Sequence, residues 1–390
     1  MIPITYNLRS LAVRRATTAA TVLGIALVVF VLASTLMLAA GVNATVTRNG
    51  GSGDQVIVMR KGSDNELSST IAREQVGVIL SAPGVRKAAD GQPWGTGEVA
   101  MIIMLAPEAD PTGLSNVQVR GVEPDITRFR PDVRIVEGRR MAAGGDEALV
   151  GKAIAGRFQN LHVGGTIEPK KNRPLKIVGV FDDGGSVLES EIWADADFVR
   201  AAFGREGMVS SVRARLDSAS AFEAFESAIE GDKRLGLEAM TETAWNEKQS
   251  QFLSAFVTVL GAVISVFLAM GAVIGAMITM YASIANRQRE IGTLRAIGFK
   301  RWQILLSFVF ESLLIASAGG LIGSIGALGM GFVKFSLLNF VTFSEMVFTF
   351  EPTLEVFAIS WIFTLTMGLF GGLLPAIRAA RLSPVVAMRG

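Results

Sequence analysis

The chain has 390 residues, of which 50% are hydrophobic and only 18% are charged, and its mean hydropathy is +0.43. Soluble proteins carry charge on roughly a quarter of their residues, so this composition excludes a soluble globular protein. The chain has no cysteine and a single histidine, which excludes disulfides, thiolate sites and multi-histidine metal sites. It also lacks the G-x-x-x-x-G-K-[ST] phosphate-binding motif, so nothing indicates that it hydrolyses nucleotides itself.

Four long stretches of the chain are almost free of charge. Three of them hold no charged residue, and the remaining one holds only Glu311. A helix that crosses a bilayer needs about 20 apolar residues, so each stretch can span. The first exceeds the roughly 7–15 apolar residues of a signal peptide, which favours an uncleaved anchor. We predict transmembrane helices at residues 16–42, 251–283, 302–333 and 356–377.

The charges of the connecting segments predict the orientation of these helices. Residues 1–15, 284–301 and 378–390 together hold 11 basic residues and one acidic residue, whereas residues 43–250 hold 25 basic and 30 acidic residues. Lysine and arginine in short loops mark the cytoplasmic side of a membrane. We therefore predict that both termini lie inside, and that residues 43–250 and a short loop at 334–355 lie outside.

The segment before the first span is predicted to be an amphipathic helix. Residues 1–15 place Ile4, Leu8 and Leu11 on one helical face and the arginines largely elsewhere. This pattern is typical of a helix that lies on the inner membrane surface, as a passive anchor or as a sensor.

The long outer segment, residues 43–250, is predicted to be a mixed α+β domain. Runs rich in valine and isoleucine predict strands at residues 55–60, 98–105, 116–122, 175–181 and 210–216. Helical spacing of apolar residues predicts helices at residues 67–80 and 219–230. Acidic pairs beside glycines are typical of turns, and we find no catalytic cluster in this segment.

The second span is predicted to extend beyond the membrane as a stalk. Residues 241–251 are polar but contain neither proline nor glycine, so one helix can run from the outer domain into the span. A helix transmits displacement along its axis, whereas a flexible linker does not.

Two features inside the spans have more than one interpretation. Glycines recur at four-residue spacing in Gly271/Gly275 and Gly319/Gly323, which permits close helix packing either within the chain or between two chains. Glu311 is an expensive residue in hydrocarbon, so it either makes a structural hydrogen bond or has a function.

The cytoplasmic connection at residues 284–301 is predicted to be a short, charged amphipathic helix. Ile291, Leu294 and Gly298 share one face, charged residues surround them, and Gly298 can end the helix. Such a helix is too short to span. It either lies on the membrane or binds in the groove of a soluble partner.

Four sequence motifs resemble those of the MacB/FtsX-type ABC transporter permeases. The string E-I-G-T-L-R-A-I-G-F-K-R-W-Q-I from Glu290 to Ile304 resembles the cytoplasmic loop of that family. The segments N-L-R to R-R to L-G-I-A at residues 7–26 resemble its opening helix and first span. The segments V-R-G-V, V-E-G-R, L-V-G and I-V-G-V at residues 119–180 resemble the MacB-like periplasmic core, and P-A-I-R-A-A-R-L-S-P at residues 375–384 resembles the closing motif.

The resemblance implies a non-catalytic permease of the bacterial inner membrane with its large domain in the periplasm. It implies two protomers, identical in the simplest case, and two copies of an ABC ATPase that binds ATP and magnesium, while this chain itself binds no cofactor, metal or nucleic acid. Unlike MacB, the sequence shows no fused ATPase domain, so we expect a separate ATPase subunit. The resemblance places ATPase coupling on residues 284–301. The candidate coupling residues are Arg287, Arg289, Glu290, Ile291, Gly292, Leu294, Arg295, Ala296 and Gly298.

Three functions are consistent with the resemblance. The first, which the length of the outer domain favours, is export of a hydrophobic or amphipathic substrate by mechanotransmission, with a periplasmic adaptor and an outer-membrane duct as further partners. In that mechanism ATP-driven closure moves the cytoplasmic loops, and the stalks pass the motion to the periplasmic domains. The alternatives are a Lol-type permease that extracts lipoproteins and an FtsX-like signalling subunit that controls a cell-wall hydrolase.

Overall fold

We analysed the chain in a computed structural model that describes residues 14–47, 53–123, 126–338 and 344–382. The predicted amphipathic helix at residues 1–15 lies almost entirely outside the described residues, as do the last eight residues of the predicted cytoplasmic tail. The chain forms two compact units. We name residues 1–41, 255–333 and 350–390 the membrane unit, and residues 42–254 and 334–349 the sheet unit.

The described residues form nine α-helices and fourteen strands. In chain order the helices are α1 (Arg15–Thr47), α2 (Arg73–Leu80), α3 (Ile126–Phe129), α4 (Ala196–Phe203), α5 (Phe222–Gly231), α6 (Glu242–Asn286), α7 (Gln288–Ala296), α8 (Arg301–Leu328) and α9 (Leu354–Arg381). The strands are β1 (Gln55–Arg60), β2 (Ile71–Ala72), β3 (Gly95–Leu105), β4 (Ser115–Val122), β5 (Arg134–Gly138), β6 (Glu147–Gly151), β7 (Thr166–Lys170), β8 (Arg173–Asp182), β9 (Glu191–Asp195), β10 (Met208–Val209), β11 (Ser211–Arg215), β12 (Leu237–Thr241), β13 (Lys334–Leu338) and β14 (Glu345–Thr349).

Four helices of the described chain, α1, α6, α8 and α9, are long and apolar enough to cross a membrane. They follow the four nearly charge-free stretches of the sequence, and the mixed domain lies between the first and the second of them. The predicted fold class, a four-helix membrane protein with a mixed α+β domain after the first helix, is confirmed. Helix α6 has 45 residues and is continuous from the end of β12 to Asn286.

Small residues let the membrane helices pack closely within the chain. A Cβ atom on Gly323 of α8 would lie 2.5 Å from the carbonyl oxygen of Ala26 on α1, and one on Gly319 would lie 2.8 Å from that of Val22. The glycine pair of α8 therefore serves packing within the chain. A Cβ atom on Gly271 or Gly275 of α6 would meet nothing within 4 Å, so that pair has no packing role inside the described chain.

The sheet unit is built on one ten-stranded sheet. Its strand order is β12-β1-β11-β3-β4-β9-β6-β8-β5, and β7 pairs with β8. The β4–β9 and β6–β8 pairs are parallel and the others are antiparallel. The core contains Val56, Val119, Ile192 and Phe225, all buried, and a second cluster surrounds the stacked rings of Phe181 and Trp193.

The segment between α8 and α9 is a β-hairpin of the sheet unit. Strands β13 and β14 pair with each other, and Val347 is buried in the main core. The side chain of Glu345 accepts hydrogen bonds from Arg157 at 2.7 Å and from Ser115 at 2.7 Å. Residues 43–250 and the 334–355 loop were predicted to lie on the same side of the membrane. Residues 42–254 and 334–349 belong to one compact unit, whereas residues 350–355 belong to the membrane unit.

Two expectations about local structure in the outer segment were wrong or incomplete. Residues 67–80 were predicted as one helix, but α2 begins only at Arg73, because Ile71 and Ala72 form strand β2 and pair with β10. Pairing and the complete burial of Ile71 outweigh helix propensity there. No strand was predicted at β9, all five residues of which are buried.

Candidate functional site

The predicted coupling segment forms the short helix α7, which is set off from α6 by a single residue. Arg287 lies between the end of α6 at Asn286 and the start of α7 at Gln288, and its φ of −113° and ψ of 14° lie outside helical values. Gly298, with a φ of 108°, follows the other end of α7. The amides of Gly298 and Phe299 donate to the carbonyls of Arg295 and Leu294, a Schellman-like ending that satisfies the last carbonyls of the helix.

Helix α7 has a buried face and an exposed face. Ile291 is buried in a cluster with Met280 and Ile284 of α6, Phe308 of α8 and Ala376 of α9. This packing fixes the helix against the cytoplasmic ends of three spans. Of the predicted coupling residues, the buried ones are Arg287, Ile291 and Gly292, the half-buried ones are Leu294 and Arg295, and the exposed ones are Arg289, Glu290, Ala296 and Gly298.

Glu311 is the centre of an ion cluster inside the membrane unit. Its side chain is 1% exposed and accepts hydrogen bonds from Arg14 Nη2 at 3.0 Å and from Arg287 Nη1 at 3.1 Å. Arg287 Nε donates to Glu290 Oε2 at 3.2 Å, and the Arg287 guanidinium lies over the ring of Phe308. Two guanidinium groups compensate the cost of burying this carboxylate. The structure therefore shows Glu311 hydrogen-bonded to both arginines and joins it to the predicted coupling segment through Arg287.

A second cluster of buried charge lies in the sheet unit. Arg120 on β4 donates to both carboxylate oxygens of Glu191 on β9, at 2.6 and 2.7 Å, and to both oxygens of Glu66, at 3.0 Å each. It also donates to Glu98 at 2.9 Å. Arg213 on β11 forms ion pairs with Glu66 and Glu98. Arg213 also contacts Glu242, the first residue of α6, so this network reaches the start of the long membrane helix.

The charges of this network are stabilised by each other. Burial alone would raise the pKa of Glu66, but Arg120 and Arg213 outweigh it and hold that pKa below its ordinary value. The pKa of Glu98 is lowered in the same way, with burial opposed by Arg130, Arg213 and Arg120. Burial likewise opposes the charged form of Arg120, while Glu191 and Glu66 raise its pKa well above the ordinary value.

A small polar cavity adjoins the network. Its volume is about 50 Å³, which has room for a few water molecules, since each requires at least about 10–15 Å³. Its lining residues come from the network, from the first turns of α6 and from the β13–β14 hairpin: Glu66, Arg120, Glu191, Arg213, Glu242, Asn246, Gln249, Ser344 and Glu345 are among them. In the part of the chain that the structure describes, no group of three or more histidine or acidic residues is arranged to hold a metal ion.

Sequence reasoning missed this network because its members are far apart in the chain. Four different elements or turns supply Glu66, Arg120, Glu191 and Glu242. Each of these residues is of a charged type that usually lies on the solvated surface. The run Glu191–Asp195, which holds two acidic residues, is completely buried in the structure, and this burial is not visible in the sequence.

Comparisons with known proteins agree with the sequence motifs. The family model described as the MacB-like periplasmic core domain matches residues 18–232, which is more than half of the chain. The model of the FtsX-like permease C-terminal domain matches residues 262–384. The second match includes all of α7, α8 and α9.

Two relatives illustrate how the chain compares with individual proteins. The uncharacterized ABC transporter permease YknZ of Bacillus subtilis is 26% identical over 228 residues, which are 56% of this chain and 54% of that protein. The macrolide export ATP-binding/permease protein MacB of Rhodospirillum rubrum is 29% identical over 266 residues, or 64% of this chain and 38% of that protein. The chain thus spans about half the length of one relative and less of the other.

Among solved structures, the extracellular domain of YknZ aligns with 48% of this chain and 99% of its own, with 14% identity and a TM-score of 0.36. The two family matches cover the outer domain and the membrane part in the order in which the motifs occur. The chain therefore belongs to the MacB/FtsX-type permease family of ABC transporters.

Proposed function

We propose that this chain is the membrane-spanning permease of an ABC exporter and that a separate ABC ATPase binds to the exposed face of α7. The observation that carries this proposal is the two-sided character of α7. Its inner face packs against the ends of α6, α8 and α9, while Arg289 and Glu290 on its outer face are exposed. A helix held in this way transfers displacement from a bound partner to the spans, and its charged face provides the specificity of contact.

Helix α6 supports a mechanism of mechanotransmission. It has no break between Glu242 at its start and Asn286 at its end, and a continuous helix moves along its length as one element. In the proposed cycle, closure of two ATPase subunits on ATP and magnesium displaces α7, and α6 carries that displacement to the domain outside the membrane. The permease does not itself catalyse hydrolysis.

The proposed substrate is a hydrophobic or amphipathic molecule that the outer domain takes up. The predicted spans at residues 16–42, 251–283, 302–333 and 356–377 contain one charged residue, Glu311, which is engaged by Arg14 and Arg287. A continuous hydrophilic pathway through the spans therefore has little support. The name of the Rhodospirillum rubrum relative refers to macrolide export, and export is the activity we propose here. We place the protein in a bacterial inner membrane as a homodimer, with an adaptor and an outer-membrane duct as further partners.

The experiment that tests this proposal is purification of the tagged full-length chain from its native membranes in mild detergent, with co-purifying proteins identified by mass spectrometry. The expected result is an ABC ATPase together with a periplasmic adaptor or an exit duct. A matched variant, Arg289→Glu, reverses one exposed charge of α7 and is expected to reduce ATPase recovery at unchanged permease yield.

Other results of this purification would favour the alternative functions. An ATPase recovered with a lipoprotein carrier would indicate lipoprotein extraction, and one recovered with a cell-wall hydrolase would indicate signalling. Recovery of no ATPase, even after crosslinking with nucleotide trapped, would contradict the proposal that ATP hydrolysis drives this permease.

A further inference from the structure

Helix α7 is attached to α8 at two points, and the ion pair between Arg287 and Glu311 is one of them. Helix α7 is joined covalently to α8 at one end, through residues 297–300, where the capping-box hydrogen bond from the Lys300 amide to Gln303 begins α8. At its other end, Arg287 donates to Glu311 of the same α8. Glu311 lies ten residues after Arg301, so this second attachment is about 15 Å further along the α8 axis, at about 1.5 Å per residue.

Two attachments at different points along α8 determine the direction of α7 as well as its position. The chain connection to α6 at Arg287 and the packing of Ile291 already hold one end of α7. The ion pair adds a direct attachment to α8 at that end, whereas Gly298, with a φ of 108°, imposes little steric resistance at the other end. Phe308, one turn before Glu311 on α8, lies under the Arg287 guanidinium at 5.4 Å and restricts it further.

The cluster as described contains equal numbers of positive and negative charges. Arg14, Glu311, Arg287 and Glu290 form a chain of two cations and two anions. Glu311 is 1% exposed and Arg287 is 8% exposed, whereas Arg14 is 23% and Glu290 is 58% exposed. The buried middle pair is therefore protected from solvent and salt, and the outer members lie where they can respond to the surroundings.

We propose that Glu311 is a positioning residue of ATPase coupling. Its ion pair with Arg287 holds α7 against α8. Its ion pair with Arg14 holds the cytoplasmic end of α1 at the same point. Displacement of α7 by an ATPase then moves α1 and α8 together with α6. This proposal rests on the function proposed above, because it presupposes that α7 is the site at which the ATPase acts.

The test uses the absence of cysteine from the chain. Thr293→Cys, an exposed position on α7 outside the candidate coupling residues, carries a nitroxide label in the full-length chain, purified with its ATPase and reconstituted in lipid. Label mobility is recorded by electron paramagnetic resonance without nucleotide and after vanadate trapping of magnesium ATP.

Three variants are compared with the labelled parent. Glu311→Gln keeps the shape of the side chain but removes its charge, and Glu311→Asp keeps the charge. Ser360→Ala is the control, at a buried polar position on α9 outside the cluster.

Glu311→Gln is expected to increase the mobile fraction of the label and to reduce its response to trapped nucleotide by about fivefold or more, the lower end of ordinary coupling between two sites. Glu311→Asp is expected to restore most of the response, and Ser360→Ala is expected to behave as the parent. A purely structural carboxylate would lower the yield of folded protein and leave label mobility in the folded fraction unchanged.

A Glu311→Gln label as immobile and as responsive as the parent would overturn the proposal. If Glu311→Gln does not accumulate, Arg287→Gln removes the same contact from the other side, and an immobile label there has the same meaning. Failure of the proposed function gives a different result, because no ATPase would then purify with the parent chain. Label mobility without nucleotide would still show whether Glu311 holds α7 in place.

Discussion

Arg287 donates from Nη1 to Glu311 Oε2 at 3.1 Å, although 24 residues separate the two in the chain. Arg287 is the only residue between α6 and α7, and Glu311 is the charged residue buried within α8. The pair thus connects the junction between α6 and α7 to α8, the next span. A charge that is costly inside a membrane is used here to fix the segment on which a cytoplasmic partner would act.

The buried face of α7 should be necessary for stability of the membrane unit. Replacing Ile291 with alanine removes packing from a cluster shared by α6, α8 and α9, and comparable core truncations cost about 2–5 kcal/mol. We expect Ile291→Ala to lower the thermal unfolding midpoint of the full chain in detergent. Ile297→Ala, at an exposed position just past α7, is the matched control and should leave the midpoint unchanged. Equal midpoints for the two variants would contradict the packing described for α7.

A second prediction about packing concerns the close approach of α1 and α8. A methyl group on Gly323 would lie 2.5 Å from a backbone oxygen of α1, whereas one on Gly271 would meet nothing within 4 Å. Overpacking of this kind costs about 1–3 kcal/mol, so Gly323→Ala should destabilise the chain. Gly271→Ala makes the same chemical change in another span and should not lower stability. The check is the unfolding midpoint of both variants in one detergent, and a Gly323→Ala protein as stable as the parent would show that the two helices do not pack as described.

The ion network of the sheet unit should contribute strongly to stability through Arg120. Removing one partner of a buried ion pair leaves charge uncompensated and costs about 3–5 kcal/mol. Exposed pairs contribute about 0–1 kcal/mol, and Arg139 with Glu147 is such a pair, since Arg139 is more than half exposed. We therefore expect Arg120→Ala to lower the denaturation midpoint of the full chain far more than Arg139→Ala does. Similar losses in the two variants would mean that the network is not buried as described.

The same network predicts how stability depends on pH. The pKa values of Glu66 and Glu98 lie below their ordinary value of 4.5 in the folded chain. A carboxylate with a depressed folded pKa contributes stability above its unfolded pKa, and this contribution is lost as pH falls below it. The unfolding midpoint should therefore change little between about pH 7 and pH 5 and fall below about pH 4.5.

A matched pair of variants separates this effect from that of surface carboxylates. Glu66→Gln should be less stable at neutral pH and should show a weaker decline in acid, because the group that must be protonated is gone. Glu147→Gln removes a carboxylate whose pKa is also lowered, to about 2, by its hydrogen bonds with Arg139 and Ala142. Its pairing is exposed to solvent, so its acid profile should remain close to that of the parent. An unchanged acid decline in Glu66→Gln would show that other groups determine it.

The parts of the fold that were predictable from sequence are those in which local composition decides structure. The four spans follow from stretches almost without charge, and α7 follows from the spacing of apolar residues up to Gly298. The strand order and the β13–β14 hairpin were not predictable, because they depend on contacts between distant segments, such as that of Glu345 with Arg157.

In the candidate site, too, some features were predictable from local sequence and others required the structure. Composition indicated that Glu311 requires a partner, but Arg14 and Arg287 could be identified as its partners only once α1, α7 and α8 were placed together. In the sheet unit, Glu66 and Glu191 resemble surface residues in sequence, and only the structure shows them on either side of Arg120.

The measurement that tests the central claim most directly is site-specific crosslinking from α7 to the ATPase in native membranes. A single cysteine replaces Ile297, which is 72% exposed just past α7, and carries a photoactivatable crosslinker. The control is the same probe in place of Ile278, which is 63% exposed within α6. The account predicts a crosslink to an ABC ATPase from position 297 and none from position 278. No ATPase adduct from position 297, or equal adducts from both positions, would contradict it.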